Sequence, residues 1–268
     1  MIQHAARVLI MGILNVTPDS FYDGGRTCET KAAIDAALAM IEAGADIIDI
    51  GGESSRPGAA SITLKQELDR VIPVVQGLRA KSPILMSVDT TKAAVAREAL
   101  KAGAELINDI SALRSDEDMA HTIAQAGAGV ILMHMQGTPQ TMQHAPTYQD
   151  VVSDILSFLM DRARVAEESG IDHDHIILDP GIGFGKTLEH NLTLLRQLPK
   201  LASCGYPLLV GLSRKSFLGK ILDLPAEDRL EGTIVANAVA ILGGAGIIRV
   251  HDVKEARRTA DVAVRLRP

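Results

Sequence analysis

Eight times along the chain an apolar, branched run of four to seven residues stops at one or two polar residues able to do chemistry. In order, these ends are Asn15, Asp49, Asp89, Asn108 with Asp109, His134, Asp179, Ser213 with Lys215, and Arg249 with His251. A helical pattern follows each run. The runs are continuous rather than alternating, as expected of parallel strands covered on both faces. The pattern predicts strands at 7–14, 46–50, 83–88, 105–109, 129–134, 175–179, 207–212 and 246–250. Helices are predicted near 29–43, 64–80, 91–102, 116–127, 148–170, 188–200, 226–242 and 252–266. The fold class this implies is α/β, a single TIM (β/α)8 barrel spanning 1–268. Such a barrel opens every strand's C-terminal end onto one face, so residues far apart in sequence meet in one cleft.

One αβ turn recurs at Ala43-Gly44-Ala45-Asp46, Ala102-Gly103-Ala104-Glu105, Ala126-Gly127-Ala128-Gly129 and Gly243-Gly244-Ala245-Gly246. A glycine just past a helix end takes the left-handed conformation that terminates the helix. Copies spread from residue 43 to 246 argue for one architecture and against a domain boundary. In Ser87-Val-Asp-Thr-Thr91, Thr90 or Thr91 can cap the helix that follows. Two connections are long, Asp19–Glu29 and Gly51–Leu64, and they follow the first and second strands. They are expected to be mobile active-site loops.

Aromatic residues make up 3% of the chain and tryptophan is absent, so the core must be built from Val, Ile, Leu and Ala. The layered interior of a parallel barrel accepts such residues. A net charge of −6 gives no strong pull toward nucleic acid or an anionic membrane. Any anion site must be local. The two cysteines, Cys28 and Cys204, have no metal-ligand spacing and read as free thiols of a reducing compartment. Gly232–Ile248 is uncharged and approaches the length of a membrane span, but Asn237 and the Gly243–Gly246 break make it a helix, a tight turn and a strand. Met1–Ile10 lacks the apolar core of a signal peptide, and a cytosolic protein is expected.

The most specific segment is Met11-Gly-Ile-Leu-Asn-Val-Thr-Pro-Asp-Ser-Phe-Tyr-Asp-Gly-Gly25. With Asp49-Ile-Gly-Gly-Glu-Ser-Ser-Arg-Pro-Gly58, Ser87-Val-Asp-Thr90, Ile107-Asn-Asp-Ile110, Met133-His-Met-Gln-Gly137, Leu178-Asp-Pro-Gly-Ile-Gly-Phe-Gly-Lys186, Gly211-Leu-Ser-Arg-Lys-Ser216 and Arg249-Val-His251, it resembles the dihydropteroate synthases over essentially the whole chain. The resemblance implies a transferase of folate biosynthesis. It would join 6-hydroxymethyl-7,8-dihydropterin diphosphate to 4-aminobenzoate, with Mg²⁺ on the diphosphate, releasing 7,8-dihydropteroate and pyrophosphate. It further implies sulfonamide binding and a homodimer.

The residues present suit that chemistry. A dihydropterin presents a ring N–H beside an exocyclic amine, and a buried carboxylate accepts both; Asp179 is the candidate. Asn108 can give and take hydrogen bonds at the other edge, Asp89 is a second acceptor and Lys215 a donor to the ring carbonyl. Met133 either lies against the ring or fills the barrel. Arg249 and His251 occupy alternate positions and would face the diphosphate together. Asn15 would supply the protein oxygen to Mg²⁺, an ion that keeps most of its waters. Ser213 and amides near a short helix from about Arg214 would hold the aminobenzoate carboxylate. Phe184 and Pro57 would wall the slot, and Phe21, Ser55 and Arg56 would complete it from the long loops. Many members of the family carry Thr where this chain has Ser55, which affects one methyl contact. By resemblance, the diphosphate leaves before the amine attacks, so catalysis would come from leaving-group neutralisation and positioning.

Other signals carry less. Gly181-Ile-Gly-Phe-Gly-Lys-Thr187 looks like a P-loop, but Pro180 stands at its first glycine, and Lys186 breaks the dinucleotide fingerprint. Asp172-His-Asp-His175 reads as a solvated turn away from the cleft. His134 is either a packed histidine or a catalytic one. Two competing readings are a corrinoid-linked methyltetrahydrofolate methyltransferase barrel, which has no need of a phosphate pair, and a non-catalytic pterin-binding paralogue.

Overall fold

The computed structural model describes residues 7–17, 26–54, 58–59 and 61–267, with the backbone alone for 26–28. The first half runs β1 (Leu9–Asn15), α1 (Arg26–Glu42), β2 (Ile47–Gly51), α2 (Leu64–Arg79), β3 (Leu85–Asp89), α3 (Ala93–Lys101), β4 (Leu106–Asp109), α4 (Met119–Gln125). The second runs β5 (Gly129–Met133), α5 (Val151–Glu168), β6 (Ile176–Asp179), α6 (Leu188–Arg196), α7 (Leu198–Ala202), β7 (Leu209–Gly211), α8 (Ser216–Leu222), α9 (Leu230–Leu242), β8 (Ile247–Val250), α10 (Val253–Arg265). All strand pairs are parallel, in the order β6-β5-β4-β3-β2-β1-β8-β7. A parallel bridge from Leu178 to Leu208 joins the two ends and completes the ring. This is the (β/α)8 barrel the sequence implies.

Strand residues alternate between two apolar environments. Met11, Ile47, Leu106, Ile131, Ile177, Leu209 and Ile247 form a layer inside the ring, with Leu9 and Leu85 packed on it. Their neighbours Ile10, Ile48, Val88, Ile107, Val130, Leu178, Val210 and Ile248 belong to the larger cluster under the helices, with Ala33, Val71, Ala96, Ile123, Leu159, Ala240 and Ala260. Burial on both faces is why the runs are unbroken in sequence. Each fully buried Ile or Leu contributes roughly 1.5–3 kcal/mol.

The recurring turn behaves as expected: Gly44, Gly103, Gly127 and Gly244 have φ of 103, 111, 62 and 100°. The uncharged stretch divides into the end of α9, this turn and β8, and among the described residues no helix is long and apolar enough to cross a membrane. The cap of α3 differs from expectation. Neither threonine caps it; Asp116, from the loop after β4, accepts the Ala93 amide at 2.8 Å, while Thr90 Oγ1 accepts from Lys92 at 3.2 Å. A tertiary neighbour supplies what local sequence suggested. The helix expected over 188–200 is two, α6 and α7, with Pro199 in the first turn of the second. The helix expected from 226 begins at Leu230, after a 3-10 turn at Ala226–Asp228.

Candidate active site

Above the inner apolar layer, the last inward positions of the eight strands are Asn15, Gly51, Asp89, Asn108, Met133, Asp179, Gly211 and Arg249. The period-two alternation of strands requires this, because 47 and 51, 106 and 108, or 247 and 249 share a face. Asn15 pairs in register with Gly51, Gly51 with Asp89, and Asp89 with Asn108. Met133 pairs with Asp179, and Gly211 with Arg249. The two glycines leave room at the mouth. A Cβ on Gly51 would lie 3.8 Å from Asn15 Oδ1, and one on Gly211 would lie 3.8 Å from both Arg249 Cβ and Lys215 Nζ.

Asp49 sits one inward position below Gly51 and is fully buried. Its Oδ2 accepts from Arg249 Nε at 2.6 Å and from Asn108 Nδ2 at 3.1 Å. Arg249 Nη2 reaches Asp89 Oδ2 at 2.9 Å. Burial alone would lower the Arg249 pKa, but the two carboxylates outweigh it and hold it above the ordinary arginine value. Asp89 moves up, chiefly through burial; Arg249 opposes the shift, while Asp49, Glu67 and Asp109 reinforce it. The sequence suggests Asp89 as a second acceptor for the heterocycle, and Arg249 as a phosphate-facing residue beside His251. In the structure they are ion-paired to each other, Arg249 reaching across the mouth from β8 to Asp89 on β3.

Asp179 is also buried. Its Oδ1 accepts the Gly181 amide at 2.7 Å, so it ties down the glycine-rich loop while retaining acceptor capacity on the carboxylate. Burial raises its pKa, and Lys215 leads the opposing effects. Lys215 donates to the Ile182 carbonyl, and its Nζ lies 4.6 Å from the centre of the Phe184 ring. Burial brings its pKa down to about 8, against the pull of Asp179. Phe184 packs on a small apolar cluster of Ile110, Met133, Met135 and Met142. Met133 therefore serves as mouth lining rather than as deep barrel filling.

Ser213 and His251, expected to serve different substrates, touch each other. Ser213 Oγ accepts the His251 amide at 3.2 Å and lies 3.0 Å from its Nδ1. His251 stands one residue past β8. Arg214 is structural: its guanidinium takes both oxygens of Asp252, at 2.9 and 2.7 Å, and its own backbone is held at φ 56°. The expected short helix begins after it, as α8.

Other polar strand ends prove structural. Asp109 faces away from the mouth and organises its own loop, accepting from Ser111 N, Ser111 Oγ and Leu113 N at 2.8, 2.7 and 2.8 Å. His134 is packed against Phe158, with ring centres 4.9 Å apart, and burial pushes its pKa down to about 3. Near pH 7 it is therefore neutral. Phe21, Ser55, Arg56 and Pro57 lie outside the described residues. Asp49 is visible in the sequence as a strand end, but nothing there assigns it to the site. The signal that places it is its step of two from the inward Ile47.

Donors and acceptors gathered at a barrel mouth beside an apolar cluster suit a flat, polar-edged heterocycle. The sequence model of the pterin binding enzymes matches residues 11–251. The chain is 51% identical to the dihydropteroate synthase of Synechocystis over 258 residues, covering 96% of this chain and 89% of that one. It is 48% identical to the Escherichia coli enzyme over 246 residues, covering 92% and 87%. Among solved structures, Yersinia pestis dihydropteroate synthase with a sulfonamide drug complex superposes with a TM-score of 0.93 at 45% identity, covering 100% and 98%. The Xanthomonas albilineans enzyme in complex with 7,8-dihydropteroate superposes with a TM-score of 0.87 at 41% identity, covering 98% and 95%. The chain belongs to the dihydropteroate synthase family and is a transferase of that kind.

Proposed function

We propose how this chain's residues divide the work of condensing 6-hydroxymethyl-7,8-dihydropterin diphosphate with 4-aminobenzoate. The observation that carries the reading is the convergence of Asp89, Asn108, Asp179 and Arg249 on one mouth, each as the last inward residue of a different strand. Asp179 accepts the ring N–H and the exocyclic amine, Asn108 and Asp89 complete the polar edge, and Met133 lies against the ring face. Phe184 walls the arylamine slot, and Ser213 holds the aminobenzoate carboxylate. Lys215 stands between the two halves, close to Asp179 and over Phe184.

Arg249 and His251 face the leaving diphosphate. In the reaction the methylene C–O bond breaks and its electron pair leaves with pyrophosphate. The arylamine nitrogen then forms the C–N bond and loses its proton. Holding the two partners in line and neutralising the departing charge are the protein's contributions.

Among the described residues no three His, Cys, Asp or Glu side chains gather as a metal site. A Mg²⁺ carried on the diphosphate needs little more than one protein oxygen, and Asn15 Oδ1, at the end of β1, fits that need. Bound there, Mg²⁺ would neutralise charge on the leaving group.

A homodimer is supported by an apolar strip on adjoining helices. Val235, Val239 and Leu242 on α9 are 63, 46 and 45% exposed, and Ile221 and Leu222 on α8 are 51 and 42% exposed. The two helices meet at Gly232, where a Cβ would stand 2.8 Å from Leu222 Cδ1. A second copy covering the strip would remove it from water. Val235→Glu is expected to yield monomers by analytical ultracentrifugation; an unchanged sedimentation coefficient contradicts this interface. Soluble substrates and a free thiol at Cys204 favour the cytosol.

The direct test of the reaction is to mix both substrates with Mg²⁺ and measure pyrophosphate and dihydropteroate together. Equal amounts are expected. Pterin binding without pyrophosphate release would instead favour a binding paralogue.

A further inference from the structure

The glycine-rich loop after β6 is folded around its own lysine. Lys186 is 3% exposed, and its Nζ donates to the carbonyls of Gly181 at 2.9 Å and Phe184 at 2.8 Å, with His134 Nδ1 at 3.1 Å. Neutral His134 offers a ring lone pair and its carbonyl oxygen lies 3.4 Å away, so four acceptors surround the three ammonium hydrogens. A P-loop turns its amides inward onto a phosphate; this loop turns carbonyls inward onto a cation.

The arrangement extends along the whole loop. Five consecutive carbonyls each receive a side-chain donor: Gly181 from Lys186, Ile182 from Lys215, Gly183 from Gln143 at 2.9 Å, Phe184 from Lys186 and Gly185 from the Tyr148 hydroxyl at 2.6 Å. Glycine is required at two of these positions. At Gly181, with φ 64°, a Cβ would sit 2.0 Å from the His134 carbonyl oxygen, and at Gly185, with φ 60°, 2.7 Å from that of Gln136. The loop thus lies directly on the backbone that follows β5, with Lys186 between them.

We propose that Lys186 is a positioning residue for the arylamine half of the reaction, holding the Phe184 wall in place by drawing the Gly181 and Phe184 carbonyls onto one buried ammonium. This rests on the reading of Phe184 as a wall of the aminobenzoate slot. The two halves of the site differ in what fixes them. Asp179 belongs to β6 and is placed by the strand ladder, whereas Phe184 is placed by the loop. Losing Lys186 therefore displaces Phe184 more than Asp179. Burial pulls the Lys186 pKa well below the ordinary lysine value, opposed by Asp179 and helped by Lys215. Such a group is costly to keep unless its contacts are used.

The test is steady-state kinetics of Lys186→Met, Lys186→Gln and Phe184→Ala with each substrate varied in turn. Lys186→Met is expected to raise KM for 4-aminobenzoate about tenfold or more, with KM for the pterin diphosphate and kcat within about twofold. Lys186→Gln, which returns a donor to one carbonyl, is expected to recover part of the loss. A general structural role would lower thermal stability without dividing the two KM values. A raised KM in Phe184→Ala with no change in Lys186→Met overturns the role of Lys186 alone. No change in either overturns the slot as well. If both lysine variants fail to fold, the proposal is overturned, since it assigns Lys186 to the loop and not to the barrel.

Discussion

Arg249 Nε lies 2.6 Å from Asp49 Oδ2, joining the last strand of the barrel to the second beneath the floor of the site. Asp49 belongs to the layer under the mouth, and the same oxygen also receives Asn108 Nδ2 at 3.1 Å. One buried carboxylate thereby aims a cation and an amide. Asp49→Asn removes a charge-assisted bond worth roughly 1.5–3 kcal/mol. It is expected to lower kcat/KM for the pterin diphosphate about tenfold to a hundredfold, measured with aminobenzoate saturating. An Asp49→Asn enzyme as efficient as the parent would show that Arg249 needs no such anchor.

In the proposed reading Asp179 supplies the acceptor for the heterocycle's paired hydrogens. Asp179→Ala leaves those donors unpaired and is expected to cost roughly 2–5 kcal/mol in pterin binding, read by isothermal titration. Undiminished affinity contradicts the assignment.

The pH dependence follows from the two groups flanking the slot. Burial raises Asp179, so its ionised form is lost earlier on acidification than for an ordinary carboxylate. Burial lowers Lys215 to about 8, so its ammonium is lost as pH rises through that value. The pH profile of kcat/KM, which reports the free enzyme, is expected to fall on both sides, with an alkaline limb near pH 8. Lys215→Met should lower activity and abolish that limb; a limb unchanged in the variant assigns it elsewhere.

Sulfonamides are expected to compete with 4-aminobenzoate and not with the pterin diphosphate, because they resemble only the arylamine. Equal product formation with and without high sulfonamide runs against this.

The barrel floor should behave as packing alone. Ile177→Ala empties part of the inner layer and is expected to cost roughly 2–5 kcal/mol of stability in urea unfolding. Its kcat at a temperature where it stays folded should be near that of the parent. A large loss of kcat with unchanged stability would give the layer a role beyond packing.

Much of this is legible in the chain. Continuous apolar runs mark strands buried on both faces, and polar residues at their ends mark the mouth, so Asn15, Asp89, Asn108, Asp179 and Arg249 can be gathered from sequence. Three-dimensional neighbours are harder to read. The cap of α3 comes from Asp116, which lies 23 residues from Ala93. Arg249 finds Asp49 across 200 residues, and Ser213 meets His251 across 38. Asp109 and His134 end apolar runs as the functional residues do, but they point outward or into aromatic packing. Inward or outward orientation depends on register, and a run of unbroken apolar residues carries no alternation from which to read it. Lys186 falls in the false P-loop, and its role stays hidden there because its partners are backbone carbonyls, which composition does not reveal.

One ring of last inward residues is expected to hold the pterin. A crystal structure with 6-hydroxymethyl-7,8-dihydropterin bound tests it most directly. The pterin's N–H and amine are expected within hydrogen-bonding distance of the Asp179 carboxylate, with Asn108 at the other edge. A pterin bound anywhere that leaves Asp179 and Asn108 untouched contradicts it.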